Sequence, residues 1–202
     1  MYKLTEYITE KTVGDILRAW AGDENVTPQA RVTGTRMRHD YEVRKGGKTY
    51  VIEYNGDQHY RDPNVILRDL AKADISKRMG KIVVEIPYFI QLTTETFKVF
   101  FGEKFEIETT FPHGFIASKM LPSSFCPIGY NRAVMELGLM PPKVVSDVMK
   151  SLEEKAALLG DNWTYFRNSV NIAEGENEIS WKEFVDRSNV VHNNAYTYVH
   201  PL

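Results

Sequence analysis

Residues 38–59 read RHDYEVRKGGKTYVIEYNGDQH, and the fold turns on how this stretch pairs with itself. Two runs rich in Val, Tyr, Ile and Thr flank Gly46-Gly47, which is the pattern of two antiparallel strands joined by a tight turn. With the two glycines as the loop, opposed residues carry numbers that sum to 93. His39 then faces Tyr54, Tyr41 faces Ile52 and Val43 faces Tyr50 on one side, the core side. Arg38 faces Asn55, Asp40 faces Glu53 and Glu42 faces Val51 on the other.

Two carboxylates directly opposite on adjacent strands repel, so the arrangement costs stability unless a positive charge sits between them. A divalent cation relieves that cost. A pair of acids suits Mg²⁺, with Mn²⁺ able to substitute, because Mg²⁺ is a hard ion that takes oxygen ligands and keeps several waters. Such an ion polarises a phosphodiester and lowers the pKa of a bound water. The plainer alternative is that Asp40 and Glu53 are solvated acids paired with Arg36 or Arg38.

Working outward, residues 5–21 carry apolar side chains at Tyr7, Ile8, Val13, Ile16, Leu17 and Trp20, which predicts one amphipathic helix with a weak point at Gly14. Residues 22–29, GDENVTPQ, are rich in turn formers, and the strand before the hairpin turn is read as RVTGTRMRHDYEVR. Asp62-Pro63 supplies an N-cap and a first-turn proline for a helix that runs to Gly80, with Leu67, Leu70, Ala71 and Ile75 as its apolar face. KIVVEI, ending at Pro87, reads as a buried strand. The order helix, strand, strand, helix, strand is that of an α/β core, a mixed sheet flanked by helices.

Beyond about residue 105 the prolines and glycines of FPHGF, LPSSFCPIGY and MPPK intervene. Helical stretches follow, the clearest being PKVVSDVMKSLEEKAALLG. The expected division is a core over 1–105 and a mainly helical extension over 106–202, with no motif in the second part that carries chemistry. His113, His192 and His200 lack ligand spacing. The aromatic tail AYTYVHPL is read as packing rather than as a base-stacking platform.

The chain has 202 residues, 43% hydrophobic and 26% charged, the composition of a folded protein. No segment reaches the roughly 20 apolar residues that span a bilayer, and MYKLTEYITEK lacks a secretory leader's apolar run, so a cytoplasmic protein with no membrane partner is expected. The one cysteine, Cys126, leaves no internal disulfide and is read as a packing residue. Net charge is −2, short of the basic excess of many nucleic-acid binders. Local clusters partly offset this: Arg31, Arg36, Arg38, Arg44, Lys45 and Lys48 crowd the region around the two acids, and Arg61, Arg68, Lys72, Lys77 and Arg78 follow.

EYNGDQHY, then RDLAKAD, then MGKIVVEIP resembles the very-short-patch-repair endonucleases and their relatives in the PD-(D/E)XK nuclease superfamily. Glu53, Gly56, His59, Arg68, Asp69 and Gly80 stand in the order of that pattern, preceded by Arg38-His39-Asp40, and the resemblance covers roughly residues 8–88. It implies a restriction-endonuclease-like fold and Asp40 and Glu53 as metal ligands, with Glu10 a third acid and His59 near the scissile phosphate. Arg36, Arg38, Arg61 and Arg68 become DNA contacts. The chain departs from the pattern at Asn55, where a lysine or an aspartate is expected, because a neutral amide cannot carry a stabilising charge. Lys72, one turn beyond Arg68, can supply that charge, with Asn55 and His59 in supporting catalytic roles.

The expectation is therefore a Mg²⁺-dependent endodeoxyribonuclease that uses a metal-activated water on DNA, with a homodimer among the assemblies allowed. Its first rival is a nuclease fold that has lost turnover and binds nucleic acid or a protein. Its second is an assembly protein whose acids are merely solvated.

Overall fold

The computed structural model describes residues 1–111, 114 and 125–159. His113, His192, His200 and the tail AYTYVHPL lie outside the described residues. The chain divides into two compact units: Met1–Gly56 with Arg68–Phe115, and Asp57–Leu67 with Ile116–Leu202.

The first unit is α/β. Its elements are β1 (Tyr2–Leu4), α1 (Glu10–Ala21), β2 (Val26–Arg31), β3 (Arg38–Lys45), β4 (Lys48–Asn55), β5 (Ile82–Pro87), α4 (Thr94–Phe101) and β6 (Ile107–Thr109), together with most of α3 (Pro63–Arg78). A mixed four-stranded sheet runs in the order β2-β3-β4-β5, with β4 and β5 parallel and the other pairs antiparallel. β1 and β6 form a separate parallel pair.

The hairpin register holds from the turn outward: Lys45 faces Lys48, Arg44 faces Thr49, Val43 faces Tyr50, Glu42 faces Val51 and Tyr41 faces Ile52. Both turn glycines adopt positive φ, 56° and 74°, the left-handed geometry that a two-residue loop between twisted strands requires. The pairing stops short of Asp40 and Glu53. Asp40 Oδ2 instead accepts the backbone N–H of Tyr54 at 2.7 Å, so a side chain stands in for a ladder bond.

The other side of β3 is irregular at the same level. Pro28 pairs with Tyr41 and Ala30 with His39, while Gln29 between them has φ +50°. Such a break lets successive side chains leave strict alternation. The Tyr41 hydroxyl reaches the Glu10 carbonyl on α1, whereas the His39 ring reaches Ser76 on α3. The expectation that His39 shares the core side with Tyr41 and Val43 is thereby corrected.

Further corrections concern the edges of elements. Residues 5–9 are not helical, because Thr9 caps α1 in a reciprocal box with Thr12 and so fixes the first turn at Glu10. Gly14 does not break α1. A Cβ there would lie 2.4 Å from the Tyr41 hydroxyl, so the glycine makes room for that ring. The segment read as turn-rich contains β2, whose Pro28 is tolerated because β2 is an edge strand. The single long strand expected over 31–44 is divided by a turn in which Gly34 has φ +76°. Helix α3 starts and stops as expected, with Asp62 Oδ1 accepting the Asn64 N–H and Gly80 in the left-handed region. Its buried face differs, however: Leu67 and Ala71 are exposed, while Val65, Ile66, Asp69, Ala73 and Ser76 are buried.

One side of the sheet closes on α1 and α4 through Ile16, Leu17, Trp20, Tyr41, Val43, Tyr50, Ile52, Phe97 and Phe101. Trp20 sets its ring edge-on to Tyr50 and Phe97. The second unit is helical in its described part: α2 (Gln58–Arg61), the start of α3, α5 (Pro127–Gly138) and α6 (Pro142–Leu159). There the Tyr60 hydroxyl donates to Glu136 at 2.6 Å, and Glu136 also holds Arg132. The Cys126 thiol donates to the Tyr60 carbonyl, a structural contact at the start of α5.

Candidate functional site

Glu53 lies on a central strand with 4% of its surface exposed, yet it is a carboxylate and must be compensated where it sits. Two groups do so. Lys72, projecting from α3, places Nζ 2.6 Å from Glu53 Oε2 and also donates to the Arg38 carbonyl at 3.1 Å. His39 Nδ1 bonds Glu53 Oε1, and its Nε2 lies 2.7 Å from the Ser76 hydroxyl. With the ring proton on Nδ1, the imidazole donates to Glu53 and accepts from Ser76, so every polar atom of the relay is satisfied. This is why the buried face of α3 carries Ser76 and why Lys72 folds inward. The order serine, histidine, acid is that of a nucleophilic triad, but Ser76 is 1% exposed and no substrate carbonyl can reach it. The chain of bonds orients Glu53 instead.

Asp40 is half-buried beside this group. Burial is the main reason that its carboxyl is pushed up to about 6; the Tyr54 N–H opposes the rise, Glu53 and Glu10 add to it by like-charge repulsion, and Lys72 works against it. The Asp40 site therefore carries more negative charge than Lys72 offsets. Glu10 stands at the first position of α1, exposed, with Oε1 accepting from Gln29. It acts on Asp40 through space. Among the described residues no group of three or more His, Cys, Asp or Glu side chains converges closely enough to hold a metal ion.

Asn55, at the end of β4, is fully buried, and neither its Oδ1 nor its Nδ2 has a hydrogen-bond partner. An orphaned buried amide costs about 1–3 kcal/mol for each group left unmet, so its retention calls for a functional reason or a bound water. Beyond Asn55 the chain enters the second unit. His59 lies there on α2, half-buried, its backbone carbonyl accepting from Arg132, and Arg61 pairs with Asp57 at 3.2 Å.

The cations expected around the acids separate. Arg36 and Arg68 are exposed, and Arg38 is exposed with its guanidinium on the Gln29 carbonyl. Arg44, Lys45 and Lys48 lie at the opposite end of the hairpin from Asp40, which corrects their expected place beside the acids. Sequence reasoning missed His39 and Ser76, whose roles depend on the break at Asp40. It also missed Glu85, the register partner of Glu53 on the parallel strand β5. The one sequence sign of Glu85 is an acid within the apolar run IVVEIP.

Searches of protein-family models, of curated proteins and of solved structures return no match to this chain. No helix among the described residues is long and apolar enough to cross a membrane.

Proposed function

We propose that the chain is a restriction-endonuclease-like nuclease that hydrolyses DNA phosphodiester bonds with a divalent metal ion. The observation that carries this reading is the meeting of Asp40, Glu53 and Lys72: a half-buried carboxyl raised to about 6 beside a carboxylate held by a lysine. All the anionic donors are hard oxygens, which fits Mg²⁺ or Mn²⁺ and not a thiophilic ion. When bound, the ion supplies a water of lowered pKa and a Lewis acid for the phosphoryl oxygen.

The chain's residues have separate tasks. Asp40 and Glu53 hold the cation, and Glu10 adds negative field. Lys72 pairs with Glu53 and offers positive charge to the phosphate as charge develops on it. His39 and Ser76 fix the Glu53 carboxylate. The Asn55 amide, buried and unmatched, can orient a water by hydrogen bonding, though it cannot replace a cation. Arg36, Arg38 and Arg68 contact backbone phosphates.

The test is incubation of the full chain with supercoiled plasmid, single-stranded DNA and RNA, in Mg²⁺, in Mn²⁺ and in chelator. Cleavage of DNA in metal, abolished by chelator and by Asp40→Asn, is the expected result. Absence of metal-dependent cleavage overturns it. A second reading is favoured by one observation: both Glu53 oxygens are already engaged, by His39 and Lys72. In that reading the fold binds nucleic acid without turnover, and the same experiment gives salt-sensitive DNA binding with intact plasmid.

A further inference from the structure

The turn of the β3–β4 hairpin borders an open cleft of about 440 Å³ whose lining includes Ala21, Asn25, Lys45, Gly46, Gly47 and Lys48. Two of these side chains are cationic and none is a carboxylate. Lys45 and Lys48 are direct register partners across the hairpin. Like charges directly opposite each other on adjacent strands destabilise the pair unless an anion lies between them.

The two lysines are also held differently. Lys45 Nζ is fixed by the Trp20 carbonyl at 2.5 Å and lies 4.9 Å from the centre of the Trp20 ring, so its position is set without its charge being cancelled. Lys48 is exposed and has no carboxylate partner among the described residues. Arg44 touches Glu42 Oε1 at 3.2 Å, but the other oxygen of Glu42 is held by Lys81 at 2.6 Å, so one carboxylate serves two cations. The surplus at the turn is positive.

We infer that this cleft is a binding site for a phosphate group, with Lys45 as the fixed cation and Lys48, its register partner on the same face of the hairpin, closing on it. The multiple acceptor oxygens of phosphate can bridge two ammonium groups at once, which a monovalent halide does less well. Two sources share that chemistry: the backbone of a nucleic acid and a free phosphate compound. From Asp40 to Lys45 the strand extends ~17 Å, which matches about five base-pair steps of a duplex. The site does not depend on the nuclease reading, because none of its residues belongs to the acid cluster.

The experiment uses the full chain in chelator at fixed ionic strength, with chloride as the control anion. Titration with pyrophosphate, followed by amide NMR, should move the Gly46, Gly47, Lys48 and Thr49 signals saturably while those of Asp40 and Glu53 stay in place. Lys48→Glu should raise the dissociation constant roughly fivefold to tenfold, as expected for loss of one charge-assisted contact. It should also raise the melting temperature, because an opposed like-charge pair becomes an attractive one.

Fluorescence anisotropy of a labelled duplex in chelator separates the sources. Parallel loss of duplex affinity in Lys48→Glu assigns the phosphate to the nucleic-acid backbone, whereas loss of pyrophosphate affinity alone assigns it to a free phosphate compound. Unsaturable shifts spread over every lysine-bearing segment, or unchanged pyrophosphate affinity in both Lys48→Glu and Lys48→Gln, overturns the site. Because no metal is present, failure of the nuclease reading leaves this result untouched.

Discussion

Burial and two like-charged neighbours hold the Asp40 carboxyl near 6, against 3.8 for an unperturbed aspartate. A carboxyl whose folded pKa is raised binds its proton more tightly folded than unfolded. Its contribution to stability is fully present below 3.8 and is lost as pH rises through about 6. In chelator, Asp40→Asn should therefore flatten the fall in stability between pH 4 and pH 6.5. The amide oxygen can still accept from Tyr54, so the variant should be more stable than wild type at pH 7.5. One pKa unit is worth ~1.4 kcal/mol, and solvent screening at a half-buried group lowers the expected gain to about 1–2 kcal/mol. Denaturant melts at both pH values check this, and a less stable variant at pH 7.5 contradicts it. A bound divalent ion should pull the Asp40 titration down by about a unit or more, read from its carboxyl carbon signal in Mg²⁺ against chelator.

Lys72 and Asn55 differ in kind, because only the ammonium can offset charge developing on a phosphate. Single-turnover cleavage should fall about a hundredfold in Lys72→Ala and less in Asn55→Ala, with DNA affinity measured in parallel. A loss in Lys72→Ala that merely follows weakened binding demotes it to a phosphate contact. If both variants cleave normally and His59→Ala does not, the histidine carries the role.

At the scale of elements, the sheet and α3 are tied by a buried polar relay. His39→Ala leaves a nearly buried carboxylate and a buried hydroxyl without their partner, and the loss should be about 2–4 kcal/mol by denaturant melts. Ser76→Ala removes only the far end and should cost about 1 kcal/mol. A double-mutant cycle should show the two coupled; additive losses would mean that they do not act as one relay. On the opposite side, Gly14→Ala sets helix propensity against a clash. The gain is ~1 kcal/mol for alanine over glycine, but Tyr41 is 6% exposed and cannot withdraw from a contact at 2.4 Å without losing its bond to the Glu10 carbonyl. The clash should win by about 1–2 kcal/mol, and Tyr41→Phe should return part of it.

Across the whole molecule a net charge of −2 limits the long-range attraction to a polyanion, so DNA affinity rests on local cations. Three or so neutralised phosphates give a slope of about −3 in log affinity against log salt, a loss of roughly fiftyfold between 50 and 200 mM. Arg36→Ala and Arg68→Ala should each make that slope shallower by about one, equally for unrelated duplex sequences. Sequence-dependent losses would instead mark either residue as a base contact.

The sequence by itself determined the hairpin, its register out to Tyr41 and Ile52, the start and end of α3, and the strand that ends at Pro87. Each is dictated locally, by paired glycines, by alternation, and by a capping aspartate followed by a proline. Tertiary structure decided the rest. Strand alternation carries His39 toward Tyr41, and only the break at Asp40, opposite Gln29 in a left-handed conformation, turns it to Glu53 and Ser76. Helical periodicity favours Leu67 and Ala71 as the buried face of α3, yet Lys72 and Ser76 turn inward because a buried carboxylate and its histidine outweigh the burial of one leucine. The edge strand β2 was hidden behind turn-forming residues, since Pro28 is acceptable only where its missing N–H faces no neighbour. Where charge and hydrogen bonding across elements oppose local pattern, the pattern yields, and in this chain that happens around Glu53.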